Sequence, residues 1–189
     1  AVKQYSLLDT IPSVMAMTLS AVPSFWFGMM LIYFLAYKLG LFPSYGMGGI
    51  EHWVLPTLTI AVVYAAEILR YTRSSMLETI RADYVRTARA KGVAERTVIW
   101  KHAMKNGLLP VITLLGSSFG AQIGGAIVTE NLYNLPGLGT LTLLSINMRD
   151  TPTVVATSVI FATLYNIILI LVDLMYAFID PRIKAKYSR

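Results

Sequence analysis

The pattern of apolar and charged positions divides the chain into long uncharged stretches. Residues 10–37, 106–129 and 151–172 contain no Asp, Glu, Lys or Arg. A helix needs roughly 20 mostly apolar residues to cross about 30 Å of hydrocarbon, and each stretch is long enough. In a soluble chain, polar residues would recur among the apolar ones with the period of a strand or a helix. The pattern therefore predicts membrane-spanning helices.

Proline and glycine positions set the predicted ends of these helices. Pro23 interrupts the first stretch, so we predict a short N-terminal helix at the membrane boundary over 8–21 and a span beginning at 23. The glycine- and proline-rich stretch 40–53 predicts a loop. The four predicted spans are 23–39, 54–69, 109–130 and 153–178.

Composition and charge refine this topology. The chain is 56% hydrophobic and 14% charged, whereas soluble domains carry about 25% charged residues. It has no cysteine, which excludes disulfides and thiolate metal sites. Of its 16 basic residues, nine lie in 70–105: Arg70, Arg73, Arg81, Arg86, Arg89, Lys91, Arg96, Lys101 and Lys105. The positive-inside rule places this segment, the N-terminus and the basic C-terminal tail in the cytoplasm.

The basic segment itself has a regular pattern. Residues 74–90 contain no Gly or Pro and predict a helix, and Gly92 can take the left-handed conformation of a helix end. A second helix is predicted from Glu95 to Lys105, with Val98, Ile99 and Ala103 on its apolar side. Ala88 and Ala90 leave one face of the first helix shallow among basic residues. That face suits docking to a protein or contact with anionic lipid, and the residues alone leave both open.

Four sequence motifs carry a resemblance to a known family. RTARAKG at 86–92 resembles the loop signature of permeases of binding-protein-dependent ABC transporters, in which Ala88 and Gly92 keep their places while Arg86 and Thr87 replace Glu and Ala. Leu109-Pro110 lies five residues farther from the glycine than in the sugar-transporter version, which is typical of the peptide and nickel branch. The other motifs are VPSFWFG (22–28), LYNLPGLGTL (132–141) and LVDLMYAFIDPRI (171–183).

The resemblance implies an all-α membrane protein, a polytopic bundle of the type I ABC importer permease kind. We expect one transmembrane domain over 1–189, with residues 70–108 as its coupling segment, the name used below. The last two motifs resemble the first of two paired permeases, which has two further spans upstream; a naturally short homologue is the alternative. Expected partners are a second homologous permease, two cytoplasmic ATPase subunits that bind ATP and Mg, an external substrate-binding protein and the inner-membrane bilayer, but no nucleic acid.

The resemblance also assigns residues. It implies that an ATPase docks on Tyr84, Arg86, Thr87, Ala88, Arg89, Lys91 and Gly92, and that Gln122 and Glu130 face the translocation path. We predict no metal site, because His52 and His102 fall on opposite sides of the membrane, and no catalytic group. The substrate stays open among dipeptides, oligopeptides, glutathione and nickel complexes.

The rival hypothesis is an ion-coupled carrier or channel without an ATPase. It would use charged residues within the spans, such as Glu67 and Asp173. For Glu67 we expect instead an ion pair with Arg70, one helical turn away.

Overall fold

A computed structural model of the chain describes residues 4–179, apart from the side chains of 120, 121, 123–125, 173 and 175–179. The described residues form helices and no strand, which confirms the all-α fold. In chain order the helices are α1 (Leu7–Ala21), α2 (Ser24–Lys38), α3 (Glu51–Arg81), α4 (Asp83–Ala90), α5 (95–107), α6 (Leu109–Leu132), α7 (Leu138–Asn147) and α8 (Thr151–Ile179). The stretches Ile32–Lys38 in α2 and Val98–Ala103 in α5 are π-helical.

The four predicted spans all fall on helices. Within the part of the chain that the structure describes, α3 and α8 are each long and apolar enough to cross a membrane. The chain bends by 102° between α1 and α2, around Pro23, and these two helices meet the length requirement only as a pair. The prediction of a complete span at 23–39 is therefore not met by α2 alone.

Helix α3 continues far beyond its predicted end at residue 69. Its 31 residues extend about 46 Å at about 1.5 Å per residue. The chain leaves the helix only at Ala82, which is extended with φ −65° and ψ 148°. The single helix predicted over 74–90 is therefore wrong. Alanine favours a helix, so no local preference predicts the break. Met76 and Val85, on the two sides of Ala82, belong to one apolar cluster.

The chain divides into two compact units, residues 1–31 with 57–114 and residues 32–56 with 115–189. In the first unit, the end of α3 packs with α4 and α5 around a small apolar cluster. In the second unit, α7 packs on α8, and α6 approaches α8 at Gly116. A Cβ at Gly116 would lie 2.3 Å from Val172 Cγ1, so glycine permits this close helix contact.

The N-terminal residues lie beside the coupling segment, within the first unit. Arg81 Nη2 donates a hydrogen bond to Gln4 Oε1 at 3.4 Å. This contact agrees with the predicted placement of the N-terminus and residues 70–105 on one side. The predicted cytoplasmic tail, 180–189, lies outside the described residues.

Candidate functional site

The coupling segment folds around a core of its own. Three helices contribute to it: Met76 comes from α3, and the other members come from α4 and α5. The buried members are Met76, Val85, Ala88, Val98 and Ala103, with Ile80, Val93 and Met104 packed against them. Val85, Val98 and Ala103 are fully buried, at 0% exposure. The predicted apolar side of the second helix is confirmed, since Ile99 is also buried.

The turn between α4 and α5 is built on Gly92. Its φ of +76° lies in the left-handed region, as predicted. The Gly92 amide donates to Arg89 O at 2.9 Å, and the Val93 amide donates to Ala88 O at 3.3 Å. This pair of bonds is the Schellman arrangement of a helix end, and Val93 adds the apolar contact that accompanies it. These bonds therefore end α4 at a defined residue, and the chain turns there towards α5.

An ion pair joins the two helices across this turn. Arg89 Nε donates to Glu95 Oε2 at 3.1 Å, and Arg89 Nη2 donates to Glu95 Oε1 at 2.8 Å. Arg89 Nη1 also donates to the carbonyl of Ile80, near the end of α3, at 3.4 Å. The guanidinium holds the pKa of the Glu95 carboxyl below its usual value. One side chain therefore connects α3, α4 and α5.

The far end of α5 is held directly against α3. Ser75 donates its hydroxyl to the carbonyl of Gly107 at 2.7 Å. A Cβ at Gly107 would lie 2.6 Å from the sulfur of Met76 and 3.2 Å from Thr79 Oγ1. An added methyl group would therefore displace the Met76 side chain.

The predicted docking residues separate into two groups. Tyr84, Arg86, Thr87, Lys91 and Gly92 are exposed. By contrast, Ala88 is 8% exposed and belongs to the apolar cluster, and Arg89 pairs with Glu95. The expected shallow face with Ala88 and Ala90 side by side is therefore wrong: Ala90 is exposed and Ala88 faces inward.

Sequence reasoning missed a second ion pair, between Asp9 in α1 and Arg73 in α3. Arg73 Nε donates to Asp9 Oδ1, and Arg73 Nη2 donates to Asp9 Oδ2, both at 2.8 Å. The partners are separated by 64 positions in the sequence, so no local pattern would have found the pair. An open groove of about 420 Å³ lies beside the pair, lined in part by Leu8, Pro12 and Leu69. The expected pair of Glu67 with Arg70 is absent from the ion pairs of the described residues, so that prediction is wrong.

Comparison with known proteins agrees with this architecture. Residues 1–185 match the family described as the inner membrane component of binding-protein-dependent transport systems. The chain belongs to this family. It is also 40% identical over 178 residues to the glutathione transport system permease protein GsiC of Escherichia coli (strain K12). The same identity relates it to the GsiC proteins of Salmonella typhi and Salmonella choleraesuis (strain SC-B67).

The alignment covers 94% of this chain but 58% of each relative. The chain thus spans less than two thirds of the length of these curated relatives. As an inner membrane component with helices able to span a bilayer, it is a multi-pass inner-membrane protein. Its family membership confirms the predicted class of binding-protein-dependent permease.

Glu130 of this transport component has a structural contact that the sequence did not predict. Its Oε2 accepts a hydrogen bond from the amide of Thr140, in the first turn of α7, at 3.0 Å. A Cβ at Gly137 would lie 2.3 Å from this carboxylate, and one at Gly139 would lie 2.6 Å from Ile127 Cα. A carboxylate at a helix start is favourable because the amides there lack helical partners. Glu130 therefore caps α7.

Two other helix ends in this region repeat the backbone arrangement of Gly92 with larger residues. Asn134 (φ 50°) ends α6, with the Leu135 amide donating to Glu130 O at 2.8 Å. Arg149 (φ 58°) ends α7, with the Asp150 amide donating to Ser145 O at 2.9 Å. Gln122 is half-buried on α6 among residues whose side chains are not described, so its place on the translocation path stays a prediction.

Proposed function

We propose that this chain forms part of the permease of an ATP-driven importer and that its coupling segment receives the movement of an ATPase subunit. The observation that carries this proposal is the construction of that segment. It has its own buried cluster, a defined turn and an ion pair, yet its outer residues Tyr84, Arg86 and Lys91 are exposed. A surface that is rigid before binding loses little conformational freedom on docking.

The proposed assembly contains a second homologous permease, two ATPase subunits and an external binding protein. ATP and Mg would bind to the ATPase subunits, and the present chain would have no catalytic group. The rival ion-coupled carrier receives less support, because residues 1–185 match a family of binding-protein-dependent transport components. Of the two residues that such a carrier would use, Glu67 is half-buried on α3 and the side chain of Asp173 lies outside the described part.

The docking proposal is tested by charge reversal at two places in the coupling segment. Arg86→Glu and Lys91→Glu change the exposed outer residues, while Lys101→Glu and Lys105→Glu make the same reversal at exposed positions on α5. We expect Arg86→Glu and Lys91→Glu to reduce co-purification of the ATPase about tenfold, which corresponds to a loss of roughly 1.4 kcal/mol of binding free energy. Lys101→Glu and Lys105→Glu should leave co-purification unchanged.

The lipid-surface alternative predicts a different outcome of this experiment. All four reversals would weaken membrane-surface contact similarly and none would change ATPase recovery. Failure of the unaltered permease to retain any ATPase would overturn the proposal.

For the substrate, we propose a small peptide such as glutathione, because glutathione is the cargo that the names of the compared relatives state. The test measures binding of glutathione, a dipeptide and Ni²⁺ by the binding protein of this transporter. Binding of Ni²⁺ complexes with no response to either peptide would overturn this substrate assignment.

A further inference from the structure

The Asp9–Arg73 ion pair has the geometry of a fixed joint between α1 and α3. Both guanidinium nitrogens that face the carboxylate donate to separate oxygens at 2.8 Å, so the planes of the two groups are aligned. The Asp9 side chain is only 5% exposed. The amide of Tyr5 also donates to Asp9 Oδ2, at 3.2 Å, which holds the carboxylate from the N-terminal side.

The same turn of α3, itself within the coupling segment, is attached to α4 and α5. Ser75, two residues after Arg73, binds the carbonyl of Gly107 at the end of α5. Met76, three residues after Arg73, belongs to the apolar cluster beneath α4 and α5. A single turn of α3 therefore contacts α1 on one side and the rest of the coupling segment on the other.

We propose that Asp9 and Arg73 are positioning residues that make α1 follow the coupling segment when the transporter changes state. This inference rests on the proposed function, because an ATPase must supply the movement. Apolar packing alone would let α1 slide or rotate on α3, whereas two parallel charged hydrogen bonds fix its distance and direction. Without the pair, the coupling segment still docks and moves, but α1 does not move with it.

The first test measures coupling in the assembled transporter. Asp9→Asn keeps the shape of the side chain and removes its charge, and the double variant Asp9→Arg with Arg73→Asp restores a reversed pair. The control is Glu78→Gln, which removes the charge of an exposed carboxylate from α3, the helix of Arg73. We expect Asp9→Asn to assemble normally but to raise the number of ATP molecules hydrolysed per substrate imported at least threefold. The double variant should return this ratio most of the way to that of the unaltered transporter. The control should leave the ratio unchanged.

The second test measures the position of α1 without relying on transport. The chain has no cysteine, so cysteines introduced at the exposed positions Val14 and Ser74 are its only spin-labelling sites. In the unaltered permease we expect one narrow distance distribution, equal in the resting and ATP-trapped states. With Asp9→Asn, the distribution broadens at rest and shifts between the two states.

The outcomes separate this inference from the proposed function. If the unaltered permease retains no ATPase, the proposed function fails, while the resting distance distribution still shows whether the ion pair positions α1. A narrow distribution in Asp9→Asn overturns the positioning role whatever the transport result. A broad distribution with normal ATP use per substrate also overturns the proposal, because the pair would then only stabilise the fold.

Discussion

The coupling segment and the region from Glu130 to Thr153 both reverse the chain at left-handed residues, but they use their polar side chains differently. The coupling segment is held mainly by buried apolar side chains and leaves Tyr84, Arg86 and Lys91 exposed. In the other region, Glu130 caps α7 and the Asp150 carboxylate accepts the Thr153 amide at 3.2 Å, at the start of α8. The coupling segment therefore combines a buried apolar cluster with exposed basic side chains, whereas carboxylates of the second region cap its helices.

The largest effect expected from this difference is at Ala88. Ala88→Glu places a carboxylate in the apolar cluster and should cost about 3 kcal/mol or more of folding free energy. The matched control is Ala90→Glu, on the exposed side of the same helix, which should change stability by less than about 0.5 kcal/mol. Limited proteolysis of the coupling segment and thermal unfolding of the purified permease measure both. Equal resistance of the two variants would contradict the inward orientation of Ala88.

The glycines at α7 provide the next test, because they differ in what an added methyl group would meet. Gly139→Ala drives its Cβ into the backbone of α6 at Ile127 and should cost about 2 kcal/mol. Gly137→Ala meets only the end of the Glu130 side chain, which can move, so its cost should be smaller. Thermal unfolding of the two variants is the measurement. A greater loss for Gly137→Ala would show that the Glu130 cap outweighs helix packing.

Replacing the left-handed residues Gly92 and Arg149 tests whether these two helix ends are equivalent. A Cβ at Gly92 meets no atom within 4 Å, so Gly92→Val is penalised by its backbone conformation alone, by about 1–2 kcal/mol. Gly92→Asn should cost less, because asparagine tolerates positive φ. Arg149→Gly should stabilise the protein by about 0.5 kcal/mol for the same reason. Unfolding midpoints of the three variants measure these effects, and a neutral Gly92→Val would refute the conformational argument.

The smallest expected effect is the pH dependence of the Arg89–Glu95 pair. Because the folded-state pKa of Glu95 is lowered, its stabilising contribution is present above the unfolded pKa, roughly 4.3, and is lost as pH falls through the folded value. Glu95→Gln should remove this dependence. Both partners are partly exposed, so the difference should disappear near 1 M salt, where the Debye length is about 3 Å. Proteolysis of the segment between pH 3 and pH 7, chosen to bracket the roughly 4.3 value, measures it.

The parts of this structure that sequence predicted are those set by local chemistry. The ability of Gly92 to take a left-handed conformation predicted the turn there, and helical spacing predicted the buried face of Val98, Ile99 and Ala103. The break at Ala82 could not be predicted, because alanine favours a helix. The Asp9–Arg73 pair was missed because its partners meet only after α1 folds back onto α3.

The orientation of the side chains in the candidate site was only partly predicted. The resemblance to permeases identified residues 84–92, but it did not distinguish inward from outward side chains. Ala88 was assigned to the surface because small residues permit close approach to either a partner or the protein's own core. Arg89 was assigned to the same surface because its partner Glu95 lies beyond the turn, and a linear pattern does not show that the two helices are in contact.

The Schellman turn at Gly92 also has a consequence for how the sequences of a permease and its proposed ATPase partner can change together during evolution. Val85, Ala88 and Val93 face the cluster, whereas Tyr84, Arg86, Thr87 and Lys91 face outward on the same short stretch. Substitutions at the outward positions can accumulate without altering the scaffold, because none of these side chains contributes to its buried cluster. Under the proposed function, replacing these four side chains on one unchanged backbone would exchange partner recognition, and residues 84–91 would be the unit to exchange in hybrid transporters.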